Sequence, residues 1–184
     1  MGTTANRAIP YPADTDLVTN GAAAMQALAE KVDTELGPEC RFAAYLPANQ
    51  SVPTAVWTAL TGMTEIADPG GNLSAGVFTA PVAGFYLVTA NAFWQSSTTG
   101  ARYLALWRAA NGSSTYAEIP GVAQTAPSGL DPRQNVSGLL HLNAGDKIKP
   151  QVFHTAGANL NVIGAADYGV DNAARFAGIL LAVD

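Results

Sequence analysis

The chain has 184 residues, of which 48% are apolar and only 12% charged, with a formal net charge of -5. That is a globular composition, long enough for one well-filled core of about 150 residues plus a short appendage. Nine scattered Lys and Arg residues exclude a basic nucleic-acid-binding stripe, no apolar run reaches the ~18 residues of a membrane helix, and a single cysteine, Cys40, excludes an intrachain disulfide.

In chain order, the opening "MGTTANRAIPYPADTD" lacks the basic-then-apolar order of a secretory signal, which predicts a chain not exported by that route. Two prolines, Pro10 and Pro12, and no apolar period predict an extended arm over residues 1–18. Residues 19–37, "TNGAAAMQALAEKVDTELG", are Ala-rich, with Thr19 or Asn20 as cap and Gly37-Pro38 as stop, and predict one helix. Met25, Leu28, Val32 and Leu36 recur at helical spacing as a narrow apolar stripe. So short a helix is marginal alone, so the stripe is assigned either to packing on its own domain or, preferentially, to a bundle with copies of itself.

From Arg41 the period becomes two. Ten strands are predicted over 41–46, 55–60, 76–79, 85–95, 102–109, 115–119, 135–142, 147–154, 160–165 and 174–183, separated by Gly, Pro, Asn, Asp or Ser. Many short strands with regular turns point to a sandwich or barrel. The 35 alanines oppose this by propensity, but the turn residues interrupt any helix early. In strand 85–95, Tyr86, Val88, Ala90, Ala92 and Trp94 share one side, while Phe85, Leu87, Thr89, Asn91 and Phe93 share the other, so neither side is plainly polar. In strand 102–109, Tyr103, Ala105, Trp107 and Ala109 oppose Leu104 and Leu106. A two-layer sandwich buries one face per sheet, so both strands predict a second cover supplied by self-association.

"FTAPVAGFY" resembles the hallmark of the complement-one-q globular head, with Phe78, Gly84 and Tyr86 at the characteristic places. "LLHLNAGDKIKPQV" is similar to the family's leucine-rich strand and turn, with Gly145 and Asp146 at the turn, and "RFAGILLAV" to its closing strand, with Phe176 and Gly178. Val88 and Ala90 stand where the family continues with aromatics. The resemblance covers residues 41–184 and implies a mainly β, ten-strand antiparallel jelly roll that assembles as a homotrimer, like the tumour necrosis factor group. No Gly-X-Y repeat marks a collagen stalk. "IPYPADTDLVTNGAAAMQALAEKVD" instead resembles the opening of small tail and fibre proteins of bacteriophages, which implies that residues 1–37 dock the head to other virion proteins.

Catalytic chemistry finds little support. His141 and His154 fall in predicted strands with no nucleophile elbow or metal spacing around them, so both receive structural or surface roles and no catalytic or metal residue is assigned. Asp167 and Asp171 are oxygen donors of the type that hold calcium at the apex of some jelly rolls, but their spacing is not a calcium loop, and solvated carboxylates are preferred. No cofactor is called for. Asp146 is assigned to its turn and Cys40 to packing. Four Asn-x-Ser sequons, at Asn49, Asn72, Asn111 and Asn135, carry little weight without an export signal. The loops "QSSTTG", "NGSSTY" and "QTAPSGLDPRQ" are the predicted recognition elements.

The sequence therefore predicts a non-enzymatic virion component, a trimeric bacteriophage tail or fibre protein whose head faces a host envelope glycan or protein. The alternatives are a capsid decoration or head-fibre protein, a free complement-like binding module, and a glycan depolymerase.

Overall fold

The computed structural model describes residues 2–3, 10–11, 21–36, 40–125 and 131–184, and the chain divides into two compact units, Met1–Glu39 and Cys40–Asp184. In the first unit, β1 (Gly2–Thr3) pairs antiparallel with β2 (Pro10–Tyr11), Gly2 opposite Tyr11 and Thr3 opposite Pro10. A two-rung ladder thus stands within the segment expected to be a simple arm. So short a pairing needs no apolar periodicity, and the fixed φ of Pro10 suits an edge.

Helix α1 (Gly21–Leu36) falls inside the predicted span 19–37, while the proposed cap and stop residues Thr19, Asn20, Gly37 and Pro38 lie outside the described residues. Ala24 is the buried position, whereas Met25 is 71% exposed and Leu28 and Val32 are 37% and 38% exposed. Among the described side chains of this helix, therefore, the large apolar residues Met25, Leu28 and Val32 are not the buried ones.

The second unit carries thirteen strands among the described residues, not ten: β3 (Arg41–Tyr45), β4 (Gln50–Val52), β5 (Thr58–Ala59), β6 (Thr64–Ala67), β7 (Leu73–Ser74), β8 (Val77–Thr79), β9 (Gly84–Phe93), β10 (Ala101–Ala109), β11 (Ala117–Thr125), β12 (Arg133–Leu142), β13 (Lys147–His154), β14 (Leu160–Val162) and β15 (Arg175–Val183). The unforeseen strands β4, β6 and β7 are too short to show alternation. The front sheet runs β12-β9-β15-β3-β6 and the back sheet β11-β10-β13-β8-β7, with β5 beside β13 and β14 paired to β4. Every pairing is antiparallel.

Alternation makes the core. Tyr86, Val88, Ala90, Ala92 and Trp94 of the front sheet meet Leu104, Leu106, Ile148 and Val152 of the back sheet in one buried cluster. Inside it Phe42 stacks on Phe78 at 4.3 Å, with Phe176 4.7 Å from Phe42 and Tyr86 5.7 Å from Phe78. Gln134, a buried amide, accepts from the Trp94 indole at 2.9 Å and donates to the Arg102 carbonyl at 3.0 Å, so its polarity is satisfied.

Two prolines inside strands are explained by their neighbours. The Pro150 carbonyl accepts from Leu60 N on the side of β13 shared by the short strands β5 and β8, so the missing proline N–H faces the gap between them. Pro120 lies in the edge strand β11, where the register with β10 shifts between Ala105 and Trp107. Strand β14 ends earlier than the predicted 160–165, because a Cβ at Gly164 would lie 2.3 Å from the Ala48 carbonyl carbon. The chain then turns into a four-residue helix, α2 (Ala165–Tyr168), and a 3-10 turn, Val170–Asn172.

The hairpin joining β7 and β8 has a two-residue loop, Ala75-Gly76, with φ of 48° and 75°. Both values suit the primed turn that matches strand twist, but Ala75 pays the left-handed penalty for its Cβ. Replacing Ala75 with Gly or Asn is expected to stabilise the head by about 0.5–1 kcal/mol, read as a higher denaturation midpoint. Gly76→Ala should do the opposite, since its Cβ would sit 2.3 Å from the Leu60 carbonyl oxygen.

Candidate functional site

The outward face of the front sheet is graded from one end to the other. Leu139, Leu87 and Ile179 stand side by side in register across β12, β9 and β15, and all three are exposed. Phe85 lies between His141 and Ala182, and a bulge between Leu180 and Ala182 sets Leu181 outward at 56% exposure, next to Val183. Six large apolar side chains thus crowd one exposed end of one sheet, where a soluble domain ordinarily scatters them singly. One row further along, the triplet is Ser137, Thr89 and Ala177; beyond it, Asn135, Asn91 and Arg175. The Thr89 hydroxyl donates to the Val136 carbonyl at 3.2 Å and accepts from Ser137 at 3.1 Å, so this middle zone satisfies itself.

At the apolar end, His141 Nε2 lies 2.9 Å from the Asp184 carboxylate and the imidazole meets the Phe85 ring edge-on at 5.1 Å. Both side chains remain substantially exposed and the pair forms a polar rim to the patch. His154 is wholly buried, with Nε2 donating to the Val52 carbonyl at 2.9 Å and Nδ1 accepting from Ala156 N at 3.2 Å, which assigns the neutral Nε2–H tautomer.

The expectation that β10 also needs another copy over its second face is corrected. Trp57, delivered by the segment in which Ala55 takes φ of 60°, lies 6.4 Å from Tyr103, 5.3 Å from Trp107 and 5.4 Å from Phe153. The chain covers this face itself. Leu104 and Leu106 point into the core. Only strand contact across 50 residues of sequence could reveal that cover.

The hallmark residues occupy structural places. Phe78, Tyr86 and Phe176 share the aromatic core, and Gly178 is required because a Cβ there would lie 2.5 Å from the Phe42 ring. Gly84 begins β9 against β15, where a Cβ would lie 2.2 Å from the Ala182 carbonyl oxygen. The Tyr86 hydroxyl donates to the Val82 carbonyl at 2.8 Å, and burial pushes its phenol, and the neighbouring Cys40 thiol, upward.

At the Gly145-Asp146 turn, the Asp146 carboxylate is buried and accepts from Asn143 N at 3.0 Å, from Asn111 N at 2.9 Å and from the Arg108 guanidinium. Burial works to raise its carboxyl, but the backbone donors of Asn143 and Asn111, with Arg108, outweigh it and hold the group below the usual carboxylate range. The local turn was legible, whereas its partner Arg108 was not.

Of the loop carboxylates considered for calcium, Asp167 accepts from Asn49 at 2.6 Å and Asp171 pairs with Arg175 at 2.7 Å. They serve separate contacts, and no cluster of three metal-ligating side chains occurs among the described residues.

This architecture defines the class: an antiparallel jelly-roll sandwich of the tumour necrosis factor and complement-one-q type. No protein-family model matches the chain, and no curated protein does. Similar solved structures include Eiger TNF from S. frugiperda, with a TM-score of 0.60, 16% identity, and coverage of 80% of this chain and 95% of that one. The globular domain of zebrafish complement 1qA gives a TM-score of 0.55 and 17% identity, covering 79% of this chain and 100% of that one. Murine APRIL gives 0.57 and 15%, covering 78% and 100%. At these identities the likeness establishes the fold.

Proposed function

We propose that the protein is a non-enzymatic display and adhesion head that works as a homotrimer, closed through the apolar end of its front sheet. The observation that carries this reading is the in-register row Leu139, Leu87 and Ile179, exposed together with Phe85, Leu181 and Val183. Burying such a row returns about 25 cal/mol per Å² of apolar surface, and closed assembly of identical chains is the simplest way to bury it. Native mass measurement of the full chain tests it, with three chain masses expected; a persistent monomer at micromolar concentration removes the reading.

The sequence texture of residues 1–37 supports placing this head on a bacteriophage particle, at the tail, with the outward stripe Met25, Leu28 and Val32 as docking surface. Leu36 continues that stripe in sequence. Mechanistically, three weak sites per trimer, multiplied over several trimers, gain roughly 10² to 10⁴ in avidity where geometry lets them engage together. Electron microscopy of labelled particles separates tail from capsid, and absence from any particle leaves the free binding module. Met25→Asp is expected to lower particle incorporation about tenfold or more without altering head stability, because Met25 is 71% exposed and only a docked partner would bury it. Normal incorporation of that variant removes the docking role.

A further inference from the structure

At the polar end of the front sheet, beside α2 and the 3-10 turn, lies a pocket of about 220 Å³ lined by Asn91, Phe93, Arg133, Asn135, Asp171 and Asn172. That is smaller than the roughly 300–1,000 Å³ of sites that take drug-sized ligands, and suits a single ring with its substituents. The pocket is four residues along β9 from Leu87, about 13 Å, so it is separate from the apolar patch.

Its polar groups are arranged with care for one kind of occupant. The Arg133 guanidinium lies 4.1 Å from the Phe93 ring centroid and donates Nη1 to Asn172 Oδ1 at 3.1 Å. The Asn172 amide is itself held, its Nδ2 donating to the Tyr168 carbonyl at 3.1 Å. Two anchors orient the guanidinium, and its Nε and Nη2 have no acceptor among the described residues. Asn91 Oδ1 accepts from Arg175 N at 2.6 Å, which leaves the Asn91 amide NH₂ as the free end. Asp171 is neutralised by Arg175, whose Nε and Nη2 also donate to the Val170 carbonyl. Within the lining, Arg133 is thus the cation not paired with a carboxylate, Asp131 nearby accepting from the Tyr168 hydroxyl at 3.5 Å, in a chain of net charge -5.

We propose that this pocket binds one carboxylated sugar ring, a hexuronate unit of an acidic saccharide. The free edge of a guanidinium fork pairs bidentately with a carboxylate, and one such cation matches a monoanion better than a phosphate dianion. The free Asn91 amide donor beside the fork fits a ring hydroxyl, which a bare carboxylate lacks. The phenyl ring under Arg133 keeps the fork flat and spares it rotamer entropy on binding. This inference names a ligand for the head and stands without the trimer or particle reading, since each chain holds a whole pocket.

The test is titration of the full chain with sodium galacturonate, galactose, acetate and inorganic phosphate, followed by NMR of the Arg133 Nε–H and the Asn91 and Asn172 amides. Saturable shifts are expected with galacturonate at low millimolar concentration, with each other probe weaker by about tenfold. Arg133→Gln should reduce galacturonate to the level of galactose, and Arg133→Lys, which keeps charge without the fork, should fall between. Acetate or phosphate equal to galacturonate would overturn the saccharide assignment. Galactose equal to galacturonate, or no saturable shift with the unaltered chain, would overturn the site.

Discussion

Leu87→Asp is expected to release monomers from the assembled head while leaving each sandwich folded. Leu87 is 42% exposed in the single chain and faces away from the core, so an aspartate there keeps its carboxylate in water. In the assembled state the same carboxylate would sit between Leu139 and Ile179, in a largely apolar seam whose nearest in-row cation, Arg41, lies one strand further on beyond Ile179. Each copy would lose about 2 kcal/mol of burial and add several more for desolvating the charge. With three copies per assembly, dissociation should rise by at least about 10³-fold. Sedimentation should show one chain mass where the proposed trimer gives three, with an unchanged circular dichroism spectrum. A variant that remains trimeric would mean that another surface joins the copies.

The largest stability loss from a single turn residue is expected at Asp146. Asp146→Ala would leave the N–H groups of Asn111 and Asn143 without their acceptor and the Arg108 guanidinium without its carboxylate. A fully buried orphaned donor costs about 1–3 kcal/mol, and because the Asn111 and Asn143 donors are only part-buried and the Arg108 side chain is partly exposed, the total is set near 3 kcal/mol rather than higher. The same contacts make stability depend on pH. The carboxyl is held below its usual range in the folded state, so its contribution is fully present above the unfolded value near 3.9 and is lost as pH falls through the folded value. Denaturation midpoints of the unaltered head should therefore drop as pH falls below about 4, and Asp146→Asn should flatten that acid limb of the profile. An unchanged acid limb in the variant would show that other carboxylates govern it.

Physical locality explains which parts of this architecture could be read in advance. The inward row Tyr86, Val88, Ala90, Ala92 and Trp94 follows from a period of two and is buried as a row. Helix α1 follows from Ala-rich composition, although which of its faces is buried does not, since among its described side chains Ala24 lies inside while Met25, Leu28 and Val32 are exposed. Strands β4, β6 and β7 show no pattern because two to four residues cannot display one; they exist through partners, as when Leu73 and Ser74 pair with Phe78 and Val77. The cover on Tyr103 and Trp107 comes from Trp57, a residue about fifty positions away. Arg108 meets Asp146, and Arg133 meets Asn172, across similar distances in sequence.

By itself the sequence determined that strands of alternating polarity follow a short helix, that no disulfide joins them, and that one aromatic strand carries apolar side chains on both sides. These are properties of neighbouring residues, and backbone sterics with side-chain period express them locally. The tertiary structure decided which of those sides the chain covers for itself and which it leaves open. Register does this: pairing β12 and β15 on either side of β9 aligns Leu139, Leu87 and Ile179 into one exposed row, and brings Asn91, Arg133 and Asn172 around one pocket. A ladder slipped by one residue would turn the slipped strand's share of that row to the opposite face.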